Sequence, residues 1–184
     1  ILEIREIDIN KQDDYGRNIL QDTVVLGYND MAKILIEYGA DINSIDKNGR
    51  NVIFDALSYG NDSFLEYLIS LENIELNNID INENSIMHHS EVIKDDSKAL
   101  KFIEAGANVT LKNKDGKTYL CNTALRGMDG YLLLDAALEH GADINSREAN
   151  ENTILMELIA TTAKLSQNEL NRRKSLFEMS KKVL

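Results

Sequence analysis

The sequence predicts an all-α solenoid, a stack of helix-turn-helix units joined by β-hairpin-like finger loops. Three observations carry this reading. An apolar anchor motif returns at near-constant spacing, the pentapeptide "GADIN" occurs twice letter for letter, and a residue suited to capping a helix stands at the same phase of every copy. Aligned on that polar residue, the copies begin "NILQDT" at Asn18, "NVIFDA" at Asn51, "SIMHHS" at Ser85, "TYLCNT" at Thr118 and "TILMEL" at Thr153, at spacings of 33, 34, 33 and 35 residues. A leading fragment, "LEIREIDIN", has the form of the end of an earlier copy. The expected organisation is one domain over 1–184, with a partial repeat at 1–12, repeats at 13–45, 46–79, 80–112 and 113–147, and a C-terminal repeat or cap at 148–184.

Each element has a local reason. Asn18, Asn51, Ser85, Thr118 and Thr153 carry side-chain oxygens able to accept from the exposed amides of a first helical turn, so each is expected to start a helix. Met31, Ile34, Leu35 and Tyr38 recur at i, i+3, i+4 and i+7, as do Phe64, Tyr67, Leu68 and Leu71, and each set is expected to be the apolar face of a second helix. Gly39, Gly106 and Gly141 follow such helices, where the chain must turn left-handed. "GADIN" is thus a helix stop followed by the start of the next unit. One helix pair cannot bury its apolar faces alone, so units must stack on their neighbours.

With period and motif in agreement, the chain resembles an ankyrin-repeat protein over essentially its whole length. A unit of that family reads roughly DxxGxTPLHxAA, a turn, a second helix, then GADVN. "DYGRNILQDTVVLGYNDMAKILIEYGADIN" and "DGKTYLCNTALRG" followed by "LEHGADIN" match it. The proline of TPLH is replaced by Ile19, Val52, Ile86, Tyr119 and Ile154, and its histidine survives only as His88. The second copy is degenerate: "ENIELN" from Glu72 lacks the helix-ending glycine and carries an extra residue, and Glu83 sits where the family has glycine. The junction from Glu72 to Asn84 is therefore expected to open in hydrogen exchange before the 13–45 unit.

The chain is not expected to be an enzyme. It has no glycine-rich phosphate loop after a strand, no HExxH, no paired-cysteine motif and no GxSxG. No cofactor or metal is expected. In the family the histidine at His88 is structural, its ring bonding across the turn. Cys121 occupies the same position one repeat later, but packed helices lie about 8–10 Å apart, too far for both to reach one zinc at about 2.0–2.3 Å. Cys121 reads as a small buried thiol, and His140, in the last turn of its helix, as solvated. A single cysteine rules out an internal disulfide and suits a reducing compartment.

The net charge of −11 is unevenly spread. The loops at 11–17, 44–50, 78–84, 111–117 and 146–152 carry 0, +1, −2, +2 and −1, so the negative charge lies on the helices and their remaining connections. That disfavours nucleic acid, whose phosphates are met by basic patches, and would steer a basic partner. No apolar run approaches the roughly 18–20 residues of a membrane span and no signal peptide is visible, so no membrane partner is expected. "NELNRRKSLFEMSKKVL" is amphipathic and basic, and its phase fits a C-terminal cap. Ile1 falls within an element and no GAD motif follows Gly141, so the native chain is expected to extend at both ends.

The resemblance implies a non-catalytic interaction module, acting as a monomer in the cytoplasm, or in a host cytosol if secreted. It would bind a protein partner through a concave surface of finger tips and first helices. The partner-binding residues expected there are Tyr15, Arg17, Val25, Leu26, Lys47, Arg50, Tyr59, Asn84, Val92, Ile93, Lys114, Lys117, Leu125 and Arg126. Val25 and Leu26 fall about 140° and 240° round from Leu20, away from the partner helix, and the equivalent positions Tyr59, Val92, Ile93 and Leu125 would extend them into an exposed apolar column. Two narrower readings accompany this one: an inhibitor or immunity protein neutralising a basic toxin or nuclease, and the targeting module of a larger enzyme or effector.

Overall fold

The computed structural model describes residues 8–59, 61–124, 131–147 and 152–156. The chain forms two compact units, 1–81 and 82–184. In the first, α1 (Ile19–Val25) packs on α2 (Asn29–Glu37) and on α3 (Val52–Ser58), and α3 packs on α4 (Asp62–Ile69). Its core is Leu20, Val24, Ile42, Val52, Ile53, Leu57, Phe64 and Leu68. In the second, a 3₁₀ turn (Ile86–His88) leads into α5 (Ser90–Lys94), which packs on α6 (Asp96–Glu104) and α7 (Tyr119–Ala124); α6 also packs on α8 (Tyr131–Glu139). Ile86, Met87, Phe102, Ile103, Tyr119 and Leu133 fill its core. No strand forms among the described residues.

Every helix or turn expected after a polar anchor starts at the next residue, but the caps are built in different ways. The Asn18 side-chain oxygen accepts from the Gln21 amide at 3.0 Å, and the Gln21 side chain accepts from the Asn18 amide at 3.2 Å, a reciprocal capping box. Thr153 Oγ1 accepts from the Met156 amide at 3.2 Å. Asn51 does not cap α3 with its side chain. Its amide nitrogen instead donates to the Glu75 carbonyl at 2.9 Å, as that of Asn18 donates to Asp41 at 3.0 Å. The two anchor asparagines therefore tie the helix start to its own unit's exit.

The same economy explains the asparagine that ends "GADIN". Asn10 donates to the Gly39 carbonyl at 3.2 Å and accepts from the Asp41 amide at 2.7 Å. One unit on, Asn43 donates to the Asn73 carbonyl at 2.7 Å and accepts from the Glu75 amide at 2.9 Å. Each exit is clipped to the next by a side chain that imitates a peptide group. The aspartate two residues earlier folds the exit itself: Asp41 accepts from the Asn43 amide at 2.9 Å, and Asp143 from the Asn145 amide at 2.8 Å.

Two departures from the sequence reading have physical causes. On α2 only Ala32 is fully buried, while Met31, Ile34 and Tyr38, expected on the buried face, are 54%, 47% and 78% exposed. Their counterparts one repeat on are better covered: Phe64 is buried, and Tyr67 and Leu71 are half-buried. In the third repeat the first helix is interrupted, because His89 adopts an extended backbone (φ −68°, ψ 139°) between the 3₁₀ turn and α5. That break separates α5 from the 3₁₀ turn.

Glu83 has φ of 59°, the sole non-glycine among the described residues in the left-handed region, at the place that Gly16, Gly49 and Gly116 fill in the other loops. Glu83→Gly is expected to stabilise the fold by about 0.5–1 kcal/mol, since the strain of about 1–2 kcal/mol outweighs the added freedom of the unfolded chain. Thermal unfolding checks it. A lowered midpoint would mean that the Glu83 side chain itself holds the loop.

Candidate protein-binding face

The finger loops are folded by their own side chains. In three of them one side-chain oxygen accepts two backbone amides: Asp13 from Tyr15 and Arg17 at 2.8 and 2.9 Å, Asp46 from Asn48 and Arg50 at 2.8 and 3.0 Å, and Asn113 from Asp115 and Lys117 at 3.0 and 3.1 Å. The Arg17 amide, with that of Tyr15, holds the Asp13 carboxyl below the usual carboxylate range against a smaller opposing effect of burial. Neighbouring fingers are stitched by the backbone, the Lys47 amide to the Tyr15 carbonyl at 2.9 Å, that of Ile81 to Asn48 at 2.9 Å, and that of Lys114 to Asn82 at 3.1 Å.

The step from one repeat to the next uses a conserved geometry with changing chemistry. His88 Nε2 lies 2.9 Å from the Lys117 carbonyl, while its Nδ1 lies 2.9 Å from Ser85 Oγ and 3.2 Å from the Ser85 amide. The carbonyl must be given a proton, so Nε2 donates and Nδ1 accepts. This is the expected structural histidine. Gln21, at the matching position, does the same: its side-chain nitrogen donates to the Arg50 carbonyl at 3.0 Å while its oxygen receives the Asn18 amide. Sequence reasoning looked for histidine and passed over the glutamine that replaces it. Cys121 is buried and forms no disulfide, and His140 is exposed, its Nδ1 2.8 Å from the Ala136 carbonyl.

In the first unit, the expected apolar pair on the helix face is present. Leu26 and Tyr59 are the C-terminal cap residues of α1 and α3, which pack side by side, and they are 66% and 59% exposed. Val25 is half-buried, and Tyr15 and Lys47 are exposed on adjoining fingers. In the second unit the column changes: Val92 is fully buried and Ile93 half-buried, on an α5 that the break at His89 separates from the 3₁₀ turn. Val92 is thus core and cannot serve a partner. Lys114 is exposed, Lys117 is half-buried, and half-buried Asn84 accepts from the Asn113 side chain at 3.1 Å. Leu125 and Arg126 lie outside the described residues. Ile45, Ile79 and Ile81 are exposed around the fingers of the first unit, which the motif comparison had missed because it tracked only the helix positions.

Arg17, expected on the rim, turns inward instead. Its guanidinium holds Asp22 at 2.9 Å and both oxygens of buried Asp55 at 3.3 Å, with Asp46 3.9 Å away. Arg50 lies 3.8 Å from the same Asp46. Burial works against the Arg17 charge, but the ion pairs to Asp22 and Asp55 prevail and raise its pKa. Burial pushes the Asp55 carboxyl up to about 6, against the opposing pull of Arg17 and Arg50. These two arginines neutralise the interior of the repeat junction, leaving Tyr15, Leu26, Lys47 and Tyr59 as the open part of the face.

Among the described residues no group of three or more His, Cys, Asp or Glu could hold a metal ion, and no helix is long and apolar enough to cross a membrane. Stacked helix pairs, finger loops with a common turn and a face of exposed side chains define a helical-repeat protein. An ankyrin-repeat family model matches residues 1–85 in three copies, just under half of the chain, which supports an ankyrin-repeat protein, and the helical, strand-free described residues are consistent with an all-α solenoid. No curated protein matches it. Ankyrin repeats are in general protein-interaction modules and are typically non-catalytic. Beyond Ser85 the same devices recur, including positive φ at Gly106, Gly116 and Gly141.

Proposed function

We propose that the chain is a non-catalytic module that captures a protein partner on the finger and first-helix face of residues 13–59. The observation that carries this is the pair Leu26 and Tyr59: large apolar side chains at equivalent positions of adjacent first helices, left in water beside exposed Tyr15 and Lys47. Exposed apolar groups clustered with polar ones mark partner sites, and tyrosine is a favoured anchor. The charge supports a basic partner. Residues 1–81 hold six basic and sixteen acidic side chains, a net of −10, against fourteen and fifteen in 82–184. A reducing compartment such as the cytoplasm suits the buried Cys121 thiol, which forms no disulfide.

The test is capture from a lysate of the native organism with a photo-crosslinking residue at position 59, and at exposed Glu104 as control. A partner is expected at 59 alone. Leu26→Ala with Tyr59→Ala is expected to weaken capture at least tenfold while shifting stability by no more than about 0.5 kcal/mol, as for surface changes generally. Capture unaffected by the double substitution would remove this face from consideration. The association rate is also expected to fall from low to physiological salt, because exposed charges are screened over about 8–10 Å.

A further inference from the structure

Two joints between repeats are bridged by a buried side chain, and one bridge can take up a proton while the other cannot. At the joint within residues 1–81, Gln21 donates to the Arg50 carbonyl and accepts from the Asn18 amide, and an amide side chain keeps both roles whatever the pH. At the joint within residues 82–184, His88 makes the same two bonds, Nε2–H to the Lys117 carbonyl and Nδ1 from the Ser85 amide.

The His88 bridge is complete only while the ring is neutral. Its Nδ1 lies 2.9 Å from Ser85 Oγ, a hydroxyl that can turn round, and 3.2 Å from the Ser85 nitrogen, a backbone donor that cannot. A proton on Nδ1 would set N–H against N–H and place a charge on a residue that is 8% exposed. The charged groups on the surrounding elements do not favour an imidazolium. α5, packed on the 3₁₀ turn, carries Glu91 and Lys94, and the finger that supplies the carbonyl carries Lys112, Lys114, Asp115 and Lys117, four cations to two carboxylates. α7, also packed on the turn, brings buried Tyr119 and Cys121 and no charged side chain, and His89 follows the ring in the chain.

We propose that the joint holding α7 to the 3₁₀ turn is a pH-sensitive latch, shut while His88 is neutral and opened when the ring takes a proton from water, whereas the Gln21 joint stays shut. In residues 1–81 acid acts the other way, because burial of Asp55 favours its protonated form in the native state. The latch and the capture face of residues 13–59 lie in different units, so the two fail or stand separately.

The test is hydrogen exchange of the isotopically labelled chain, read amide by amide as protection factors at about pH 7.5 and about pH 5.5. A solvated histidine takes its proton at about 6.5, so one pH unit below that the open form is favoured about tenfold. The Ser85, Asn113 and Lys117 amides, all bonded at this joint, are expected to lose about tenfold in protection in acid, and those of Asn18 and Arg50 at the Gln21 joint to hold or gain. His88→Gln gives this joint the chemistry of Gln21. Its protection at about pH 7.5 is expected to stay within about threefold of the wild type, and the loss in acid to vanish. Should glutamine fit poorly, the wild-type ring decides: its nitrogen resonances are expected to show a proton on Nε2 alone while the joint is protected, and an imidazolium only as protection falls. Wild-type protection indifferent to pH, a well-folded glutamine variant that loses it in acid as the wild type does, or an imidazolium within a joint still protected each overturns the proposal.

Discussion

Gly49→Ala is expected to destabilise residues 8–81 by about 2–4 kcal/mol and to lower the unfolding midpoint by about 10 °C or more, from one added methyl group. Gly49 has φ of +76°, and a Cβ there would lie 2.6 Å from the Ile79 carbonyl oxygen and 3.3 Å from Asp80 Cα. Every atom in its way is backbone, so no side chain can swing aside. The finger would have to part from its neighbour, breaking the bond from the Ile81 amide to the Asn48 carbonyl. Gly39→Ala is the control. Its φ is +90° but nothing lies within 4 Å, so only the conformational cost of about 1 kcal/mol applies. Thermal unfolding of the two variants separates strain from collision, and equal losses would show that collision contributes nothing.

Removing Arg17 is expected to be as harmful, and to be rescued by acid. Asp55 has a folded-state value of about 6 against an ordinary 3.8, so across that window the native state holds a proton that the unfolded chain has released. Stability from this group is fully present below about pH 4 and is lost as the pH rises through 6, by at most about 3 kcal/mol. Arg17→Met strips away the main force opposing that rise and leaves Asp55 buried without its partner. A loss of about 2–4 kcal/mol is expected at pH 7, and less than half of that near pH 5, where Asp55 is neutral. Denaturant unfolding at the two pH values measures it. Asp55→Asn is expected to flatten the wild-type profile between pH 4 and 7. An Arg17→Met penalty independent of pH would mean that its packing, and not its charge, matters.

The spacing of the anchors was enough to place each helix start, because a cap and the apolar residues behind it act within one turn of chain. What covers a helix face was not legible. Met31, Ile34 and Tyr38 show the same periodicity as Phe64, Tyr67 and Leu71; periodicity says which side chains share a face, and only the neighbouring element decides whether that face is wet. The break at His89 carries no proline or glycine to announce it, and Val92, expected on the surface, lies in the core three residues after it. Arg17 was legible as a charge in a finger but not as a charge turned inward, since Asp55 lies 38 residues away in sequence. Exposure was therefore legible where it depends on equivalent positions, as at Leu26 and Tyr59, and not where it depends on side-chain direction.

The asparagine clips bear on how such a chain can change over generations. Asn10 reaches partners 29 and 31 residues on, and Asn43 reaches the same kind of partners 30 and 32 residues on. The extra residue of the second copy lies between Ile69, where α4 ends, and Asn73, where the clip closes. A length change is thus tolerated in the short connection behind a second helix. Within the stretch from Asp41 to Asn43, where an aspartate and an asparagine are held in fixed step, it would leave a clip facing the wrong atoms. Whole units can be duplicated or deleted with every clip still finding a match, so the readiest path to a longer or shorter protein of this kind is in steps of about one repeat.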